Sequence, residues 1–282
     1  MGRKVKWEIR GGELELSETA IMGILNVTPD SFYSESRVRT LDEALRKAEK
    51  MLNEGAKIID VGGESTRPGS EPVSEDEEKR RVIPVILGIS ENFPEAIISV
   101  DTYKSSVARE AVEAGARIIN DISGGYFDPK ILEVAREYKT GIVLNHIRGN
   151  PKTMQMNPYY EDTVKEVKME LFERVERAKK EGIEDERICI DPGIGFGKRL
   201  EDNLKLIKYA EEFVNTGYVV MYGVSRKSFI NMALGYENPE DRLFATLGVH
   251  AYLYLKGVHI LRVHDVKETF DVLRILQFVK DA

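Results

Sequence analysis

Cysteine is nearly absent from this 282-residue chain: Cys189 is the single one, inside the apolar run Ile188-Cys189-Ile190. That excludes a disulfide framework and fits a reducing compartment, and with no base beside it the thiol is a poor nucleophile. Long apolar runs are also missing. None approaches the roughly 20 residues of a membrane span, and the opening MGRKVKWEIRGG lacks the apolar centre of a signal peptide. There is no surplus of positive charge either. Against 41 Lys and Arg stand 48 Asp and Glu, for a formal net charge of -7. This speaks against a nucleic-acid partner and requires any anionic substrate to be met by a local cluster of cations. No linker or low-complexity tract marks a second domain. These exclusions predict a soluble, cytoplasmic protein with no membrane segment.

What is present is a regular alternation. Val5 to Ile9 and Glu13 to Leu16 flank Gly11-Gly12 and read as a short β-hairpin. Eight apolar, strand-like runs follow at 21–27, 57–61, 96–100, 117–120, 141–144, 187–190, 218–222 and 259–263. Helical periodicity fills the gaps, as in Leu41, Ala44, Leu45, Ala48, Met51 and Leu52 before Gly55. Thr40-x-x-Glu43 and Ser74-x-x-Glu77 have the form of capping boxes. Strands apolar on both faces, each followed by a helix, imply a parallel sheet covered by helices. Eight such units in this length predict a closed (β/α)8 barrel of the TIM type, an α/β fold. Residues 1–18 are then the hairpin and 19–282 the barrel.

The chemistry is concentrated where the runs end. Asn26, Asp60, Asp101, Asn120-Asp121, Asn145-His146, Asp191, Ser225-Arg226-Lys227 and Arg262 with His264 and Asp265 occupy those positions. A single polar strand end is usually a turn former or helix cap. Eight together, at the barrel face where active sites form, predict an enzyme site. Asp101, Asn120, Asp191 and Lys227 offer the acceptors, amide and donor that would read a flat heterocycle. Arg67, Arg262 and His264 form a second set suited to phosphate, with Arg262 and His264 two apart and so on one face of a strand. The run Asp191 to Lys198 (DPGIGFGK) is neither a Walker A loop nor a full dinucleotide fingerprint. It predicts close approach of backbone to a ligand, with Phe196 as a wall. His250 and His259 read as packing or surface residues.

Eight strings in order are ILNVTPDSF, DVGGESTRPGS, SVDTYKSSVA, IINDISGG, HIRGNPKTMQ, DPGIGFGK, GVSRKSFI and LRVHDV. Together they resemble the successive signatures of dihydropteroate synthases, from about residue 21 to the end. The resemblance implies a (β/α)8 barrel, usually a homodimer. It also implies Mg2+-assisted condensation of 6-hydroxymethyl-7,8-dihydropterin diphosphate with p-aminobenzoate in folate biosynthesis, and a site that sulfonamides occupy. By the same resemblance Asp101, Asn120, Asp191 and Lys227 hold the pterin. Asn26 contacts the Mg2+-diphosphate, while Thr66, Arg67, Arg262 and His264 contact its phosphates. Ser225, Lys227, Pro68 and Phe196 form the p-aminobenzoate site, and the loops after the first two barrel strands are expected to close over the substrates. Two departures stand out. Tyr33-Ser34-Glu35-Ser36 replaces the family's usual Ser-Asp-Gly-Gly, and Asn145 stands where a methionine usually precedes the histidine. A related pterin-binding methyltransferase barrel would share the Asp and Asn positions but has no use for a diphosphate clamp.

Overall fold

The computed structural model describes residues 5–27, 37–66 and 69–282, with backbone only for 37–40. Arg67, Pro68 and Glu35 lie outside the described residues. The strands are β1 (Val5–Ile9), β2 (Gly12–Leu16), β3 (Ala20–Asn26), β4 (Ile58–Gly62), β5 (Ile97–Asp101), β6 (Ile118–Asp121), β7 (Gly141–Asn145), β8 (Ile188–Asp191), β9 (Val219–Tyr222) and β10 (Ile260–Val263). β1 and β2 form an antiparallel hairpin, and β3 to β10 close a parallel barrel in which β10 pairs with both β9 and β3. The helices are α1 (Arg37–Asn53), α2 (Glu75–Asn92), α3 (Ser105–Glu113), α4 (Lys130–Tyr138), α5 (Thr163–Lys180), α6 (Leu200–Lys208), α7 (Glu211–Val214), α8 (Ser228–Leu234), α9 (Leu243–Leu255) and α10 (Val266–Asp281). This is the TIM barrel that the alternation predicts.

Period-two geometry sorts each barrel strand into two faces. Ile59, Val61, Ile98, Val100, Ile119, Ile142, Leu144, Ile188 and Ile190 face the helices and join the large core between sheet and helix ring. Met22, Ile58, Ile118, Val143, Cys189, Val219, Met221 and Ile260 face inward and fill the lower barrel. Cys189 is thus a buried floor residue, its thiol pushed well up by burial. Trp7, Ile9 and Leu16 of the hairpin belong to the same inner cluster. The hairpin is therefore the plug of the barrel's lower end, a role its sequence does not announce. Gly141 permits the fit, since a Cβ there would lie 2.8 Å from Ile9 and 3.0 Å from the Trp7 ring.

Two expected capping boxes come out differently. α1 begins at Arg37, before Thr40. Ser74 does cap α2, accepting from the Glu77 amide at 3.3 Å. The Glu77 carboxylate does not reciprocate; it takes Arg80 and Arg81 instead, because two guanidiniums one turn on compete better than one amide. His250 is buried against Thr269 at 3.1 Å and His259 accepts from the Val220 amide at 3.0 Å, both as packing residues.

Candidate active site

The inward positions change character towards the C-terminal strand ends. Above the apolar floor come Asp60, Asp101, Asn120, Asp191 and Arg262, each on the inner face by the same alternation that buries Ile58, Ile118, Cys189 and Ile260 below. Arg262 ties them together. Its Nε donates to Asp60 Oδ2 at 2.6 Å and its Nη2 to Asp101 Oδ2 at 2.6 Å, while Asn120 Nδ2 donates to Asp60 Oδ2 at 3.0 Å. Burial alone would suppress the Arg262 charge, but Asp60 and Asp101 outweigh it and its pKa rises. Burial pushes Asp101 up to about 7 against the pull of Arg262, and raises Asp191 against the pull of Lys227. Burial thus works against the charge of Asp101 and of Asp191, and the neighbouring cations work for it.

Lys227 follows β9. Burial lowers it to about 8, opposed by Asp191. Its Nζ donates to the Ile194 carbonyl and lies 4.2 Å from the centroid of the Phe196 ring. A Cβ on Gly223 would sit 3.8 Å from Arg262 Cβ and 3.9 Å from Lys227 Nζ, so the two side chains pass the same glycine. Next to them His264 Nδ1 pairs with Ser225 Oγ at 2.9 Å. Asn26 ends β3 with its side chain exposed at the mouth, near Gly62 and Asp101. Thr66 is half-buried in the loop after β4. The structure thus brings Asp101, Asn120, Asp191, Lys227, Arg262, Ser225, His264 and Phe196 together at one mouth. Arg67 and Pro68 fall outside the described residues.

The glycine loop also has a structural purpose within the barrel mouth. The Gly193 amide donates to Asp191 Oδ1 at 2.7 Å and the Gly195 amide to Asn203 Oδ1 at 2.7 Å, so both amides are already engaged by side chains. Gly193 has φ +70, and a Cβ there would lie 1.8 Å from the His146 carbonyl; Gly197 has φ +67 and would meet the Arg148 carbonyl at 2.5 Å. Gly193 and Gly197 allow the loop to press on the neighbouring loop after β7, while a Cβ on Gly195, between them, would meet Lys227 Cδ at 3.3 Å.

Several supporting residues escape a sequence reading. Glu64 accepts from Lys104 Nζ, from Tyr103 Oη at 2.9 Å and from the Val73 amide at 3.2 Å, while Lys104 also binds Glu78. Arg81 Nη1 holds the Gly63 carbonyl at 2.7 Å. Both ends of the loop bearing Thr66 are fastened by this cluster. On the other side, fully buried Lys198 donates to His146 Nδ1 at 2.9 Å and to the Phe196 carbonyl at 3.0 Å. His146 Nε2 then donates to Glu170 at 2.9 Å. Burial, aided by Lys198, drives the His146 pKa well down, so this imidazole is neutral with Nδ1 as acceptor. Asp60 did leave a signal: it shares inward parity with Ile58 in an otherwise apolar strand. Lys104, Lys198 and Glu170 look like any other charged residue in sequence.

A closed parallel barrel with a buried polar slot and cations at its upper end defines a class, and residues 22–264 match the family of pterin binding enzymes. The dihydropteroate synthase of Escherichia coli strain K12 is 45% identical over 273 residues, covering 97% of this chain and 96% of that one. Among solved structures, the Yersinia pestis dihydropteroate synthase with a sulfonamide drug complex superposes with a TM-score of 0.92 at 39% identity, covering 99% of this chain and 100% of the other. The Xanthomonas albilineans enzyme in complex with 7,8-dihydropteroate gives 0.86 at 35% identity, covering 98% and 99%. The chain belongs to the dihydropteroate synthase family.

Proposed function

We propose that the chain condenses 6-hydroxymethyl-7,8-dihydropterin diphosphate with p-aminobenzoate, giving 7,8-dihydropteroate and diphosphate. The observation that carries this reading is the Arg262 junction. One guanidinium spans two carboxylates of a ring-reading slot, at 2.6 Å each, and stands beside Lys227 and the His264–Ser225 pair. Asp101, Asn120 and Asp191 hold the ring by its donors and acceptors. Arg262, Thr66 and His264, joined by Arg67, receive the diphosphate. Ser225, Lys227, Pro68 and Phe196 seat p-aminobenzoate, with Lys227 serving both substrates.

The chemistry asks little of the protein beyond positioning and field. The methylene carbon–oxygen bond breaks and its electron pair leaves with diphosphate, while the ring nitrogen system spreads the cation left on the methylene carbon. The p-aminobenzoate nitrogen then attacks that carbon and sheds one proton. Fixed cations that absorb the growing charge on the leaving group, together with a slot that aligns the ring, lower this barrier without a protein nucleophile.

Mg2+ fits the residues at the mouth. Asn26 offers a neutral oxygen with no hydrogen-bond partner among the described residues, and among those residues no cluster of three His, Cys, Asp or Glu could hold a metal by itself. Mg2+ retains waters and takes substrate phosphate oxygens alongside few protein ligands. Asn26 and the diphosphate would hold it, and it would neutralise charge on the leaving group.

The chain works in the cytoplasm as a homodimer on this reading. Its lone buried thiol suits a reducing compartment. No helix among the described residues is long and apolar enough to cross a membrane. On α9, Phe244, Tyr252 and Leu255 stand exposed at helical spacing with Gly248 between them, and Ile275, Phe278 and Val279 are exposed on neighbouring α10. Such a double apolar face suits a second copy of the chain. The deciding assay is formation of dihydropteroate and diphosphate from the two substrates with Mg2+. Product requiring the amine, abolished by chelation and restored by Mg2+, supports the reading; diphosphate release indifferent to p-aminobenzoate, or no product, refutes it.

A further inference from the structure

Among the buried side-chain atoms without a hydrogen-bond partner among the described residues are Asp60 Oδ1, Asn120 Oδ1 and Asn145 Oδ1. The first two belong to the slot described above. Asn145 does not, and its position is informative. It ends β7 in register with Asp191 of β8, two residues above the pair Val143 and Cys189, both of which face the barrel interior. Register partners in a parallel sheet share a face, so the Asn145 amide points into the same slot as Asp191. It is 4% exposed. Its Oδ1 lies against the α-carbon of Gly193, where a Cβ would approach it to 2.7 Å.

The nearby donors are already used. The Gly193 amide serves Asp191 Oδ1, and the His146 amide serves the Asp191 carbonyl. A buried acceptor with no donor costs about 1–3 kcal/mol, which an apolar side chain of similar size would avoid. The amide thus burdens the empty fold and becomes useful only when a donor arrives in the slot.

We propose that Asn145 is a specificity-determining residue that touches substrate, its amide oxygen accepting a hydrogen bond from an N–H on the aminopyrimidinone edge of the bound pterin. This rests on the function proposed above. Asn145 adds to Asp191 and Asn120 a third side chain that discriminates rings carrying those N–H groups from rings that lack them.

The test compares wild type with Asn145→Met and Asn145→Leu, which keep approximate volume and remove the acceptor. Three quantities are measured: calorimetric affinity for 6-hydroxymethylpterin, KM for each substrate, and Tm of the ligand-free protein. Pterin Kd is expected to rise about tenfold, or roughly 1.4 kcal/mol. KM for p-aminobenzoate stays within twofold, and Tm is unchanged or higher because an unmet acceptor is gone. Wild-type pterin affinity in both variants overturns the inference. So does a Tm several degrees lower with affinity intact, which makes the amide structural, or an equal loss for both substrates, which means general distortion. If wild type itself bound no pterin, the function proposed above would fall too; a wild type that binds and turns over beside unaffected variants sinks only the role of Asn145.

Discussion

Replacing Arg262 with methionine separates two consequences of one guanidinium. In the folded protein the side chain is only 19% exposed and contacts Asp60 and Asp101, themselves 0% and 9% exposed. Methionine retains much of the length and removes the charge. Stranding buried carboxylates in this way typically costs about 3–5 kcal/mol. Proton uptake partly relieves it, since Asp101 already titrates near 7 with its partner present and moves higher without it. The sign follows from linkage. A carboxyl whose folded pKa lies above its unfolded value near 3.8 contributes stability at low pH that is lost as pH rises through the folded pKa. The gap between wild type and Arg262→Met should therefore be small near pH 5 and widen to about 3–5 kcal/mol at pH 8. Catalysis loses separately: withdrawing one preorganised cation from the departing diphosphate costs about 2–4 kcal/mol, or roughly 30- to 1000-fold in rate. Denaturant melts of the ligand-free protein across pH 5–8, beside dihydropteroate formation under saturating substrates, read both effects. A variant turning over within threefold of wild type, or a stability gap flat in pH, would refute the reasoning.

Lys227, lowered to about 8 by burial, should lose its charge just above neutrality, so kcat/KM for the pterin substrate should fall above about pH 8; a profile flat to pH 10 contradicts a charged Lys227 in catalysis. Gly193→Ala forces a Cβ to 1.8 Å from the His146 carbonyl at φ +70, and should cost at least about 2 kcal/mol in a thermal melt together with most activity. Trp7→Ala removes a fully buried ring from the barrel's lower plug and should destabilise by about 3–5 kcal/mol while KM stays near wild type in the protein that remains folded. If the proposed dimer forms through α9 and α10, Phe244→Asp combined with Leu255→Asp should convert a particle of twice 32.0 kDa into one of 32.0 kDa by light scattering; a wild type of 32.0 kDa, or a mass unaltered by the substitutions, refutes that contact.

Much of this architecture is legible before folding because it is local. The apolar runs at 57–61 and 141–144 carry residues for both faces, as a strand covered on both sides must, and the helices between them show 3.6-residue periodicity. Closure into a barrel follows from the number of units and the chirality of the crossovers. The polar strand ends were legible for the same reason: Asp101, Asn120, Asp191 and Arg262 interrupt apolar runs at a fixed place. What could not be read was pairing across the barrel. Arg262 suggests a free phosphate clamp in sequence, yet it is 202 residues from Asp60 and 161 from Asp101, the two carboxylates it bridges. Nor does the sequence record that the Gly193 and Gly195 amides of the loop after β8 are held by the Asp191 and Asn203 side chains.

By itself the sequence determined the repeating strand–helix pattern, the alternation of faces along each strand, and the residue types gathered at the strand ends, because all three depend on spacing along the chain. Only the tertiary structure decided which charges neutralise one another, which glycines yield to a neighbouring loop, and that the hairpin stoppers the barrel. Those outcomes depend on distances between residues far apart in the chain, where burial sets the strength of every charge and hydrogen bond and no local pattern records it.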